Sequence, residues 1–86
     1  MEAAGLREFE QVLVANLHNG LRQETYVQLG RRGSGDIILN GAAARLGEVG
    51  DLVIIMAFGY ATPREAARHK PRLVLVDEKN RLVERK

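Results

Sequence analysis

The chain contains no cysteine. Disulfide staples, zinc ribbons, thiol nucleophiles and iron–sulfur clusters are therefore excluded. Histidine is almost as scarce. His18 lies in a predicted turn and His69 in the basic stretch Arg68-His69-Lys70. Neither has a partner at metal or triad spacing, so no metal ligand set is expected. Tryptophan is absent, and there are only two Phe and two Tyr. The core must be built from Val, Ile, Leu and Ala. No long hydrophobic run occurs either: Leu52-Val53-Ile54-Ile55-Met56-Ala57-Phe58 is the longest, too short for a membrane-spanning helix. Met1-Glu2-Ala3-Ala4-Gly5 lacks the basic and apolar segments of a signal peptide. A cytoplasmic location follows as the expectation.

What is present is globular in character. Apolar residues make up 45% and charged ones 28%. With 86 residues, residues 1–86 are read as a single domain. A chain of this size buries only about 60–65% of the surface its unfolded form exposes. A thin core without a staple suggests stability borrowed from other chains, and hence a homo-oligomer. Thirteen basic residues stand against eleven acidic ones, a net charge of +2. Apart from Arg31-Arg32 the signs are interspersed, whereas a phosphate-tracking surface clusters its positive charge. Neither a nucleic-acid nor a membrane partner is expected.

Local patterns predict about six short strands and two or three short helices. Residues 1–10 read as a helix end or turn closed by Gly5. Residues 11–17 are rich in β-formers, the Asn19-Gly20 pair signals a tight turn, and residues 22–29 alternate as the return strand. Gly30 to Gly35 is a glycine-rich loop. Residues 36–39 are predicted as a short buried strand. Asn40-Gly41 then turns into the helical run Ala42-Ala43-Ala44-Arg45-Leu46, with Asn40 near its N-cap. Residues 52–58 form the next strand. Thr62-Pro63-Arg64-Glu65 carries a capping box and opens a helix ending before Pro71. Residues 72–76 and 81–84 close the chain as a strand pair. The sum is a mainly β, barrel-like core with short helices.

Two places can carry chemistry. In the first, a strand ends at Asn40-Gly41 and runs into small alanines, so free backbone N–H groups can meet a carboxylate or a developing oxyanion. The plainer reading is a strand–turn–helix connection with a capping Asn. In the second, strand alternation puts Arg22, Glu24 and Tyr26 on one face and Thr25 on the other. Arginine is the preferred bidentate clamp for a carboxylate, and a tyrosine can supply a proton. The plainer reading there is a surface Arg–Glu pair beside a half-buried Tyr. Gly33-Ser34 is a third feature, since Gly-Ser bonds are the kind that self-cleave to a pyruvoyl group. No general base is placed for it, and Ser34 reads as a turn serine.

Three blocks together resemble the bacterial L-aspartate 1-decarboxylase family. They are Asn19-Gly20-x-Arg22-x-x-Thr25-Tyr26, then Gly33-Ser34-x-x-Ile37-x-x-Asn40-Gly41-Ala42-Ala43-Ala44, then Val49-Gly50-Asp51-Leu52-Val53-Ile54-Ile55. Their order and spacing match, and the resemblance covers nearly the whole chain. It implies a double-psi β-barrel, incomplete or completed by another chain, and a tetrameric assembly. It implies conversion of L-aspartate to β-alanine and CO2 in pantothenate biosynthesis, through a covalent pyruvoyl cofactor made by autocatalytic cleavage. By the same resemblance Arg22 binds a substrate carboxylate and Tyr26 is the proton donor. Thr25 assists cleavage and orients the cofactor. Asn40 hydrogen-bonds near it, and the amides of Gly41, Ala42 and Ala43 meet the substrate.

The chain departs from the family pattern in one important respect. The family's small β chain, a substrate-binding lysine and the serine that becomes the pyruvoyl precede the segment matching Met1. Gly33-Ser34 matches a different, uncleaved family Gly-Ser, so the cofactor-forming serine is none of these 86 residues. A separate β chain is one expected partner, and the chain alone is expected to be inactive. Two other readings stay open: a non-catalytic module docking onto an intact decarboxylase, and a small DNA-binding β-barrel regulator.

Overall fold

The computed structural model describes residues 1–85, with the side chains of Ala42, Ala43, Ala44, Glu84 and Arg85 outside the described residues. Its centre is strand β1 (Gln11–Asn16), which pairs on both sides. Strand β2 (Arg22–Tyr26) runs antiparallel to it with Val12 opposite Thr25 and Ala15 opposite Arg22. Strand β3 (Val53–Met56) pairs antiparallel with its other edge, Leu13 facing Met56 and Asn16 facing Val53. The sheet order is β2-β1-β3. A central strand is shielded on both edges, which suits the run Val12, Leu13, Val14, Ala15. Val12, Val14 and Ala15 are buried, and Val27 joins them. Leu6 and Val53 pack against this small cluster.

The Asn19-Gly20 turn forms as predicted. Asn16 N–H donates to Leu21 O at 2.9 Å and Gly20 N–H to Asn16 O at 3.0 Å. Gly20 takes φ +73, a left-handed conformation that costs a side-chain-bearing residue about 1–2 kcal/mol. Beyond Tyr26 the chain stays bonded to the segment before β1: Phe9 N–H donates to Val27 O at 2.6 Å and Val27 N–H to Glu10 O at 2.9 Å.

A second sheet consists of β4 (Val74–Val76) and β5 (Leu82–Arg85), antiparallel, with an irregularity at Leu75/Val76. Its turn is organised by Asp77, whose Oδ1 accepts from the amides of Lys79 and Arg81, each at 2.9 Å. Those two amides, Arg81 first, hold the Asp77 carboxyl below its ordinary range. Asn80 ties this turn to the glycine-rich loop by donating to Gly35 O at 2.6 Å. Helix α1 (Pro63–Arg68) carries the predicted capping box: Thr62 Oγ1 accepts from Glu65 N–H, and Glu65 Oε1 accepts from Thr62 N–H. None of its residues is buried.

The mainly β expectation holds, with antiparallel sheets and little helix. Among the described residues the sheets stay open, and no closed barrel forms. The predicted buried strand at residues 36–39 is not found. Those residues pair with no neighbouring strand, and Ile37 and Ile38 are 51% and 70% exposed. Their apolarity suggested burial, but no strand among the described residues lies alongside to complete a ladder. The run from Gly41 is a 3-10 helix (Gly41–Leu46).

Candidate functional site

Strand alternation sorts β2 as expected. Arg22, Glu24 and Tyr26 are exposed, while Gln23 and Thr25 are half-buried on the inner side. The surface Arg–Glu pair does not form. Glu24 Oε2 instead accepts from Gln11 Nε2 across the strand pair at 3.0 Å. Among the described residues the Arg22 side chain has no hydrogen-bond or ion-pair partner. At the other end of β2 the Tyr26 ring is 53% exposed and lies 6.3 Å from the Phe9 ring, tilted by 41°. Thr25 faces away from both, opposite Val12 of the core.

Asn40 joins Tyr26 through Gln28, a residue without a local sequence signal for a site. Gln28 Nε2 donates to Tyr26 Oη at 3.3 Å, and Gln28 Oε1 accepts from Asn40 Nδ2 at 3.4 Å. Alternation alone puts Gln28 on the Tyr26 face, because it stands two residues beyond Tyr26 in an extended segment. Asn40 occupies the N-cap position with extended backbone, yet its side chain makes no cap bond. Its amide is engaged with Gln28 instead.

The 3-10 segment lies against β2. Its N-terminal flank, Asn40, sits near Tyr26 and Gln28. Its far end reaches the hairpin turn, where Asn19 Nδ2 donates to Leu46 O at 3.1 Å. The segment therefore runs from the Tyr26 end of β2 back toward the Arg22 end. Gly41 adopts φ +59, and a Cβ built there would meet nothing within 4 Å. The side chains of Ala42 and Ala43 lie outside the described residues.

Beneath the far end, buried Asn16 bridges three segments. Its Nδ2 donates to Asp51 Oδ2 at 2.8 Å and to Leu46 O at 3.4 Å. Its Oδ1 accepts from the amides of His18 and Asn19 at 2.8 and 3.3 Å. Asp51 Oδ2 also accepts from Glu48 N–H at 2.9 Å. The Asn16 amide, then the Glu48 amide, hold the Asp51 carboxyl below its ordinary range. A carboxyl that is more acidic when folded adds stability above its ordinary range and loses it as pH falls through the lowered value. In an NMR titration the Asp51 Cγ resonance should show a lower midpoint in the folded chain than in urea. Equal midpoints would mean that the contact contributes nothing.

Two surface clefts lie elsewhere. One is lined by Gln11, Leu13, Glu24, Phe58 and Tyr60, the other by Leu6, Ile54, Met56, His69 and Arg72 among others. Neither contains Arg22, Tyr26 or Asn40. Ser34, the one serine of the chain, is exposed. Its Oγ accepts from Asp36 N–H at 3.2 Å. Among the described residues no side chain hydrogen-bonds to Ser34 Oγ. No described helix is long and apolar enough to cross a membrane.

The fold is a mainly β protein of open antiparallel sheets, with Arg22, Glu24 and Tyr26 on one exposed strand face. Comparison with known sequences makes the assignment specific: residues 1–83 match the family model for aspartate decarboxylase, and the chain belongs to that family. It is 54% identical over 83 residues to the aspartate 1-decarboxylase of Ruminiclostridium cellulolyticum, covering 96% of this chain and 65% of the relative. It is 52% identical over 84 residues to that of Bordetella avium, covering 98% and 69%. The Lactiplantibacillus plantarum relative is 54% identical over 85 residues, covering 99% and 65%. The chain thus spans 65% of the length of the first of these relatives.

Proposed function

We propose that this chain is the substrate-binding part of an L-aspartate 1-decarboxylase, which converts L-aspartate to β-alanine and CO2 for pantothenate synthesis. The observation that supports the reading is the Arg22 guanidinium, without a hydrogen-bond or ion-pair partner among the described residues, with Tyr26 on the same strand face and the 3-10 segment against that strand. A planar guanidinium clamps a carboxylate through two parallel N–H donors. Gly41, Ala42 and Ala43 present backbone amides to the same acid. Once CO2 has left, Cα needs one proton, and Tyr26 Oη is the group assigned to deliver it.

Aspartate 1-decarboxylases of this family use a pyruvoyl group as electron sink; Asn40, linked to Tyr26 through Gln28, would orient it from the Tyr26 face, and Thr25 would reach it only from the inner face of β2. Ser34 matches an uncleaved serine of the family and is read as a turn residue, so the part assigned to these residues is binding and proton handling. A homotetramer, a separate β chain and a cytoplasmic location belong to the same reading.

The test uses the purified 86-residue chain. Amide resonances of β2 and of Gly41–Leu46 should shift on addition of L-aspartate, and succinate should compete. β-Alanine, with a single carboxylate, should bind more weakly. No β-alanine should be released from aspartate. Absence of any aspartate-dependent shift would overturn the binding assignment, and turnover by the chain alone would overturn the claim of inactivity.

A further inference from the structure

We infer that Asn16 and Asp51 are positioning residues that seat the Gly41–Leu46 segment beside β2, so that the segment and Arg22 face the same small acid. The inference rests on the carboxylate-binding reading above. Asn16 is 5% exposed although it is polar. A buried amide with unmet hydrogen bonds is costly, and here both ends of the side chain are engaged. One end reaches Asp51 and the Leu46 carbonyl, the other the amides of His18 and Asn19. These partners come from the end of the 3-10 segment, the turn leading to β3, and the hairpin turn leading to Arg22. A single side chain therefore sets where the 3-10 segment ends relative to the start of β2.

Two further observations make the seat tight. The Leu46 carbonyl takes a second donor from the hairpin turn, Asn19 Nδ2 at 3.1 Å. Gly47, the next residue, is closely packed: an added Cβ would come within 2.9 Å of Leu39 Cδ1, the movable end of that side chain, and 3.4 Å of Asn16 Nδ2. The chemistry of Asp51 also separates a hydrogen-bonding role from a charge role. The same oxygen, Oδ2, accepts from both Asn16 and Glu48. An amide oxygen can take that place, whereas a methyl group cannot.

The experiment compares the unmodified chain with Asp51→Ala and Asp51→Asn by amide NMR, with and without L-aspartate. Asp51→Ala should raise the Kd for L-aspartate about tenfold, the scale of one lost hydrogen-bonded contact. The aspartate-induced shifts at Gly41–Leu46 should collapse with it. Asp51→Asn should stay within about twofold of the unmodified chain, because a substitution that keeps both bonds leaves the seat unchanged. Unchanged shifts at Gly41 in Asp51→Ala, or equal losses in the two variants, would overturn the inference.

The ligand-free spectra test the seat apart from the binding reading. Asp51→Ala should move the amides of Gly41–Leu46 and of Asn19–Arg22 together, and Asp51→Asn should move neither group. Movement confined to the neighbours of position 51 would overturn the inference even if aspartate never binds. Should Asp51→Ala fail to fold, Asn19→Asp takes its place: it keeps the oxygen that accepts from Leu21 N–H and removes the amide donor to Leu46 O, so the Gly41–Leu46 amides should move, and no movement there would overturn the inference.

Discussion

Replacing Arg22 with alanine is expected to weaken L-aspartate binding about thirtyfold. A charge-assisted hydrogen-bonded pair contributes roughly 1.5–3 kcal/mol, and about 2 kcal/mol corresponds to that factor. The expectation depends on Arg22 having no competing partner among the described residues. Glu24, its same-face neighbour, is already held by Gln11. The guanidinium therefore need not break an internal ion pair before it meets a ligand. Arg22→Lys should fall between the two, since an ammonium keeps the charge but loses the two-pronged fit. Because Arg22 is exposed at the first position of β2, thermal stability should change by no more than about 0.5 kcal/mol. Calorimetric titration with L-aspartate measures the affinity, and a melting curve measures the stability. An unchanged Kd in Arg22→Ala would remove Arg22 from the site.

Val14→Asp is expected to unfold the chain. Val14 is 6% exposed on the central strand, between partners on both sides. An aspartate there would be an unpaired charge in the core, and the desolvation penalty for such an ion is still several kcal/mol after relaxation. A typical small domain has only about 5–15 kcal/mol of net stability. Here the buried cluster is Val12, Val14 and Val27, with no large side chain fully enclosed. Loss of the dispersed amide spectrum and of the far-ultraviolet strand signal would be the readout. Ile38→Asp is the control. That residue is 70% exposed, and the change should cost no more than about 0.5 kcal/mol. A folded Val14→Asp chain would mean that the core lies elsewhere.

Much of this architecture could be read from the letters, and the reasons are local. Asn19-Gly20 dictates its turn because glycine tolerates positive φ. Val12 and Val14 announce a strand by their branched side chains. Thr62 and Glu65 announce a helix start because each satisfies an amide of the other. The alternation that places Arg22 and Tyr26 on one face needs only the pleat. What failed depends on distant chain. Ile37 and Ile38 look buried by composition, but burial requires a neighbour that one segment's sequence cannot supply. The bridge from Tyr26 through Gln28 to Asn40 joins residues that only the folded chain brings together. Asn16 is likewise an ordinary strand-end polar residue until Leu46 and Asp51 arrive beside it. Which carboxylate meets which donor is a property of three dimensions, and Glu24 choosing Gln11 over Arg22 shows it.

Helix α1 anchors itself through Thr62 and Glu65 and buries none of its own residues. Its surface letters are therefore free to vary without disturbing either sheet. For an experimenter, that makes it a handle. A fluorophore, spin label or affinity tag carried on its outward positions would report on the molecule while leaving β1 and the Arg22 face untouched.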